Sequence, residues 1–149
     1  AELEKATRIA FCTIATGSLA RPSAQFLAIA SSQDVHIFAQ EVFSKIKKEL
    51  SALFCSDRQK ICHDVKAELH HLASMGVDFG QNFFDVMIAS YLLHAGERRN
   101  TLVAILAYYC KVNVSESAAV EIKEFAKILP LFFDLHDELS VLLKKEKIF

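Results

Sequence analysis

The apolar residues of this chain change period between Phe38 and Phe43. Upstream, short runs of β-forming residues alternate with turn residues. Ile9 to Ala15 is one run, closed by Gly17 and Pro22. Gln25 to Ala30 is the next, closed by Ser31-Ser32-Gln33-Asp34, and Val35 to Phe38 is the third. Runs of this length between Gly, Pro, Ser and Asp read as strands. Connections this short favour an antiparallel meander. From Phe43 onward the spacing is helical. Phe43, Ile46, Leu50, Leu53 and Phe54 share one side, with lysines between them. That is an amphipathic helix laid on one face of the sheet.

Lys60 to Cys62 is a brief fourth strand. It follows a helix, so it is expected to pair in parallel through a crossover. Asp64 is placed to cap the next helix, with Val65, Leu69 and Leu72 on its buried side and Gly76 at its end. Phe83-Phe84 reads as a very short edge strand. Asp85 caps Val86 to His94, which is apolar nearly all round and is therefore expected to be central. Thr101 caps Leu102 to Cys110 in the same way, and Val112 to Glu116 is a polar connection. From Ser117 the pattern is helical to the end, broken at Pro130, which removes a backbone bond and clashes with the preceding turn. The last run, Leu131 to Lys145, carries Leu135, Leu139 and Leu142 on one face, a candidate contact surface. The order is three strands, a helix, a strand, then helices, which fits an α/β domain with a mixed sheet. At 149 residues, one domain over 1–149 is expected. The helical pattern reaches Phe149 without a stop signal, which suggests a module excised from a longer chain.

Several functions are disfavoured by what the chain lacks. The most apolar stretch, Val86 to Cys110, is cut by Gly96-Glu97-Arg98-Arg99-Asn100, and neither half reaches the roughly 20 residues of a membrane span. The four cysteines are not spaced as CxxC and imply no disulfide framework, which suits a reducing cytoplasm. Net charge is −1, and the lysines and arginines come in small groups beside carboxylates. They read as solvated helix faces rather than a nucleic-acid groove. Arg98 and Arg99 read as a solvated loop tip, and Tyr108-Tyr109 and Phe132-Phe133 as core rather than base-stacking platforms. His63, Asp64, Glu68, His70 and His71 are the densest ligand-type cluster. Asp64, Glu68 and His71 share a helix face, which reads as a solvated face with a capping Asp rather than a transition-metal site. No serine-nucleophile elbow and no phosphate-cradling Gly-rich loop occur.

The stretch FFDVMIASYLLHAGERRNTLVAILAYY, Phe83 to Tyr109, resembles the 3′–5′ exonuclease domain of family A DNA polymerases, the bacterial DNA polymerase I type. Asp85, Met87, Ser90, Tyr91, Leu92 and Leu93 carry the match. HDVKAELHHLASMGV, His63 to Val77, is similar to the family's segment with a metal-binding Asp. RIAFCTIATGSL is similar to its first strand, and the tail to the helix that leads into the polymerase domain. The resemblance implies a ribonuclease H-like fold. Active members are two-metal nucleases, whose hard ions need oxygen ligands. The family's first-strand Asp-x-Glu falls on Cys12 and Ile14, and its second-segment Asp falls near Glu68, a carboxylate one methylene longer. Its closing Tyr-x-x-x-Asp falls around Glu124 to Leu129, where Phe125, Ile128 and Leu129 stand and no Tyr or Asp occurs. A thiol is mismatched to Mg²⁺ and Ile offers no donor. The resemblance therefore implies a degenerate exonuclease domain with no metal or other cofactor. It would be a structural, monomeric module in the cytoplasm, its partner the polymerase domain of the same parent chain. It would touch DNA through that parent. Two rivals stand beside it: a working exonuclease using Glu68, Asp64, Asp134 or Asp137 as substitute ligands, and a free-standing interaction domain.

Overall fold

The computed structural model describes residues 2–97, 100–115 and 121–148. After a short helix α1 (Glu2–Lys5), β1 (Arg8–Ser18), β2 (Arg21–Ala30) and β3 (Val35–Ala39) form the meander. A turn of 3-10 helix leads into α2 (Phe43–Cys55). Then follow β4 (Gln59–Cys62), α3 (Val65–Ser74), β5 (Phe83–Asp85) and α4 (Val86–Leu93). Helix α5 (Leu102–Ile105) continues into a π-helical turn over Leu106–Cys110, and α6 (Ile122–Ile128) and α7 (Leu131–Lys145) complete the chain. The sheet order is β3-β2-β1-β4-β5. β1–β2 and β2–β3 are antiparallel, and β1–β4 and β4–β5 are parallel. The mixed sheet flanked by helices is thus as the sequence implies, with β5 adding a second parallel pair at the edge.

Period-2 alternation along β1 and β2 sorts side chains onto two unequal faces. Ile9, Phe11, Leu27 and Ile29 point to α2 and α3, where they meet Phe43, Leu50, Phe54 and Leu72. Ala10, Cys12, Ala28 and Ala30 point to α4–α7. Small residues on the strands let that second layer come close. Its bulk comes from the helices instead, through Ile105, Leu106, Leu129, Phe132, Leu135 and Leu139. This is large-against-small interdigitation across a packed interface.

The β1–β2 hairpin is tighter than expected. Strand pairing runs to Ser18↔Arg21, so only Leu19-Ala20 are left to turn. Gly17 sits at φ +87°, and a Cβ there would stand 2.6 Å from the Arg21 carbonyl oxygen. Only glycine meets both demands. The Ser31–Asp34 turn forms as expected, with Ser31 Oγ accepting from the Gln33 and Asp34 amides, each at 3.2 Å. Pro130 separates α6 from α7 and stands at the entry to α7, where its missing N–H costs nothing.

Two expectations are corrected. The face of α7 that carries Leu135 and Leu139 is not a free contact surface. Both residues are wholly buried against this chain's own α4–α6 layer, and Leu142 packs beside them. Conversely, α4 is not buried all round. Ile88, Tyr91 and Leu92 are 46%, 53% and 46% exposed. The expected helix start at Ser117, the end of the polar connection at Glu116, and the Arg98-Arg99 tip lie outside the described residues. Among the described residues no helix is long and apolar enough to cross a membrane.

Candidate functional site at the end of the first strand

β1 outruns its parallel neighbour. β4 accompanies it only through Arg8↔Gln59, Ile9↔Lys60 and Ala10↔Ile61, whereas β2 follows it to Ser18. Beyond Ala10 the β4 side of β1 is left without a strand, and backbone donors there need other acceptors. Glu68, from the first turn of α3, supplies one. Its carboxylate accepts from the Thr13 amide at 3.1 and 3.3 Å and from Thr13 Oγ1 at 2.7 Å. His71 Nδ1 meets the same hydroxyl, and lies 3.9 Å from Glu68 Oε2. Glu68 is only 6% exposed. Burial pushes its carboxyl above the ordinary glutamate range, and the bonds to His71 and Thr13 only partly offset this.

The other two positions on β1 face the opposite side of the sheet. Cys12 is buried in the α4–α7 core, between Ala10 and Ile14 on the same face. Burial pushes its thiol well up, the charge of Glu68 adds to that, and a hydrogen bond with the Ala28 backbone opposes it. A neutral buried thiol behaves as a small hydrophobe. Ile14 marks an irregularity in the hairpin, where Ile14↔Phe26 is followed by Ala15↔Ala24. It borders a cleft of about 340 Å³ with Phe26, Glu121, Ile122 and Lys123. Helix α6 covers this end, and its Phe125, Ile128 and the following Leu129 are all buried hydrocarbon.

Residues meant for two hard cations would offer several carboxylate oxygens converging on one cavity. Here Cys12 offers a protonated sulfur, Ile14 offers carbon, and Glu68 offers one carboxylate, which accepts from Thr13. The residues present do not fit the metal pair. Among the described residues no group of three or more His, Cys, Asp and Glu is placed to hold a metal ion.

The substitute carboxylates are scattered. Asp64 caps α3 by accepting from the Ala67 amide at 3.2 Å. Asp137 lies at the opposite end of β1, bonded to Arg8 at 2.6 and 3.3 Å, and that guanidinium holds its carboxyl below the usual range. Asp134 is exposed on α7. The solvated-face reading of the His63–His71 cluster is corrected at Glu68, which is buried. His70 is exposed, and His63 Nε2 is 2.7 Å from the Asn100 carbonyl oxygen. Tyr109, Phe132 and Phe133 are core as expected, while Tyr108 is 41% exposed.

One buried carboxylate does more than the sequence indicated. Asp85 caps α4 by accepting from the Met87 amide at 2.9 Å, as expected. It also accepts from the amides of Asp64 at 3.0 Å and Val65 at 2.7 Å. A single side chain thereby ties the starts of α3 and α4 together at the ends of β4 and β5. The capping spacing reveals only the first contact, because the second depends on β4 and β5 being neighbours.

The family model described as the DNA polymerase I, ribonuclease H-like domain matches residues 22–123. No curated protein matches the sequence. Among solved structures, one similar chain is the polymerase domain of Pol1 from M. smegmatis in complex with DNA primer-template and dNTP. It superposes with a TM-score of 0.81 at 21% identity, covering 97% of this chain and 25% of that one. Brucella melitensis NrnC with bound Mg²⁺ gives 0.77 at 18% identity, with 96% and 76% covered. Escherichia coli RNase D, an exoribonuclease involved in structured RNA processing, gives 0.79 at 12% identity, with 97% and 41% covered. The chain thus spans about a quarter of the length of the Pol1 polymerase chain. At these identities the likeness establishes the fold.

Proposed function

The chain belongs to the ribonuclease H-like domain family of DNA polymerase I, and from that premise we propose that it is a catalytically inactive 3′–5′ exonuclease-like module of a DNA polymerase. Its work is structural. It braces the polymerase domain of the same parent chain, in the cytoplasm and as a monomer, while the parent synthesises DNA. The observation that carries this is the composition of β1 just beyond its pairing with β4. Sulfur and hydrocarbon stand at Cys12 and Ile14, and the one carboxylate near a metal-ligand position, Glu68, is bound to Thr13. The three rival carboxylates, Asp64, Asp134 and Asp137, do not converge on it.

The test is a calorimetric titration with Mg²⁺ and Mn²⁺ beside an assay for shortening of single-stranded DNA from its 3′ end. The expected result is no saturable heat and no shortening. Saturable binding with hydrolysis, both abolished by Glu68→Gln, would establish a working nuclease instead. The sequence that follows Phe149 in the parent decides the partner, because polymerase motifs are expected there.

A further inference from the structure

Among the described residues, helix α4 carries three of the exposed large apolar side chains close together on one side. Its inner side, Val86, Ala89 and Ser90, is buried. Its outer side carries Ile88, Tyr91 and Leu92 at i, i+3 and i+4, each about half exposed. Beside them lies a groove of about 200 Å³ lined mainly by Val65, Phe83, Phe84, Ala89 and Leu143. The floor of that groove is β5, which ends the sheet. Lys60 donates to the Asn82 carbonyl at 2.9 Å. By the alternation of a parallel ladder, the Phe83 N–H and C=O then point outward from the sheet edge. An open strand edge beside an apolar helix face can receive another segment of backbone and side chains.

We propose that this α4–β5 face is the seat of the polymerase module of the parent chain. The inference rests on the functional reading above and adds the surface through which the bracing acts. Two observations select this occupant over a second copy of the domain. The first is area. The three half-exposed side chains offer on the order of 300 Å² of apolar surface, well short of the ~800 Å² per partner of a stable free association. A covalently linked partner needs far less, since a short tether gives an effective concentration in the millimolar range. The second is where the link would begin. Leu143, in the last turn of α7, lines the groove, and Val141 and Lys144 border the adjoining hollow on the other side of Phe83 and Phe84. A module continuing from α7 starts beside this surface. The Pol1 chain that superposes here has three quarters of its length outside the shared domain.

The test places the photo-crosslinking residue p-benzoylphenylalanine at Tyr91 in the full parent chain, with Leu92→Glu as the matched disrupting variant. The expected product is a crosslink within one chain, to a residue beyond 149. Leu92→Glu should reduce its yield several-fold while the far-ultraviolet dichroism stays unchanged. Crosslinks between two chains would overturn the proposal in favour of self-association. Tyr91 failing to crosslink although a polymerase module follows would overturn the surface but leave the functional reading intact. A parent sequence without a polymerase module would overturn both.

Discussion

Glu68 and Asp85 are carboxylates of nearly equal burial, 6% and 8% exposed. β1, β4 and β5 run parallel, and both side chains act near the carboxyl ends of these strands. Their surroundings differ. Asp85 accepts from three backbone amides, all at the starts of helices α3 and α4. Helix N-termini carry partial positive charge, so this is an environment made for an anion. Glu68 accepts from one amide and one hydroxyl on a strand, with His71 alongside. A strand offers no comparable dipole, and burial raises the Glu68 carboxyl. Asp85 is fully absorbed into the framework, whereas Glu68 is held less completely.

The harshest test adds charge on the weaker side. Cys12→Asp would bury a second carboxylate within reach of Glu68's field, at a site 3% exposed. The expected loss is about 4 kcal/mol in urea unfolding, since an unpaired buried charge has nothing to offset its desolvation. Combining it with Ile14→Glu should still yield no exonuclease, because Phe125, Ile128 and Leu129 provide no ligand opposite. Recovered hydrolysis in the double variant would show that Glu68 can be released from Thr13.

Next in size is Asp85→Ala, expected to lose about 3 kcal/mol by orphaning three amides at two helix starts. Asp85→Asn, which keeps an acceptor, should cost about 1 kcal/mol. Glu68→Ala leaves the Thr13 amide unpaired, while the Thr13 hydroxyl keeps His71 Nδ1, and should cost about 2 kcal/mol, net of the relief of a poorly compensated charge. Equal losses for the two alanine variants would break the contrast between the sites. A larger loss at Glu68 would reverse it.

Much of this layout is legible in the sequence because local rules and tertiary structure agree there. The strands fall where turn residues interrupt β-forming runs, and Asp64, Asp85 and Thr101 all cap as their spacing implies, with Thr101 Oγ1 accepting from Ala104 at 3.2 Å. The burial of Glu68 was also within reach. It lies three residues after Val65 and four before Leu72, on the stripe that faces the sheet, but its charge argues for solvent. The exchange between α4 and α7 was beyond reach. Both helices carry apolar faces, and periodicity shows that a face can be buried without showing what covers it. Leu135 and Leu139 are wholly buried by this chain, whereas Ile88, Tyr91 and Leu92 stay about half exposed among its described residues. Glu68's acceptor role depends on β4 stopping short of Thr13, a matter of register between segments some 50 residues apart.

The smallest expected effect isolates the charge of Glu68 from its shape. Its carboxyl is raised in the folded chain, so the folded state holds the proton more tightly than the unfolded one. Below the ordinary glutamate range both states are protonated and the side chain's contribution is complete. It is withdrawn as pH rises through the raised folded value. Stability measured against Glu68→Gln should therefore fall for the native chain from acid toward neutral pH. The melting difference between the two should flatten above that point, at a few degrees. Cys12, Cys62 and His71 are retained in the variant, and burial pushes both thiols well above their ordinary range, so they stay neutral from acid to neutral pH. A difference that grew in the opposite direction would mean that Thr13 and His71 favour the ionised form more than burial disfavours it. Glu68 would then be as well compensated as Asp85, and as firmly committed to the framework.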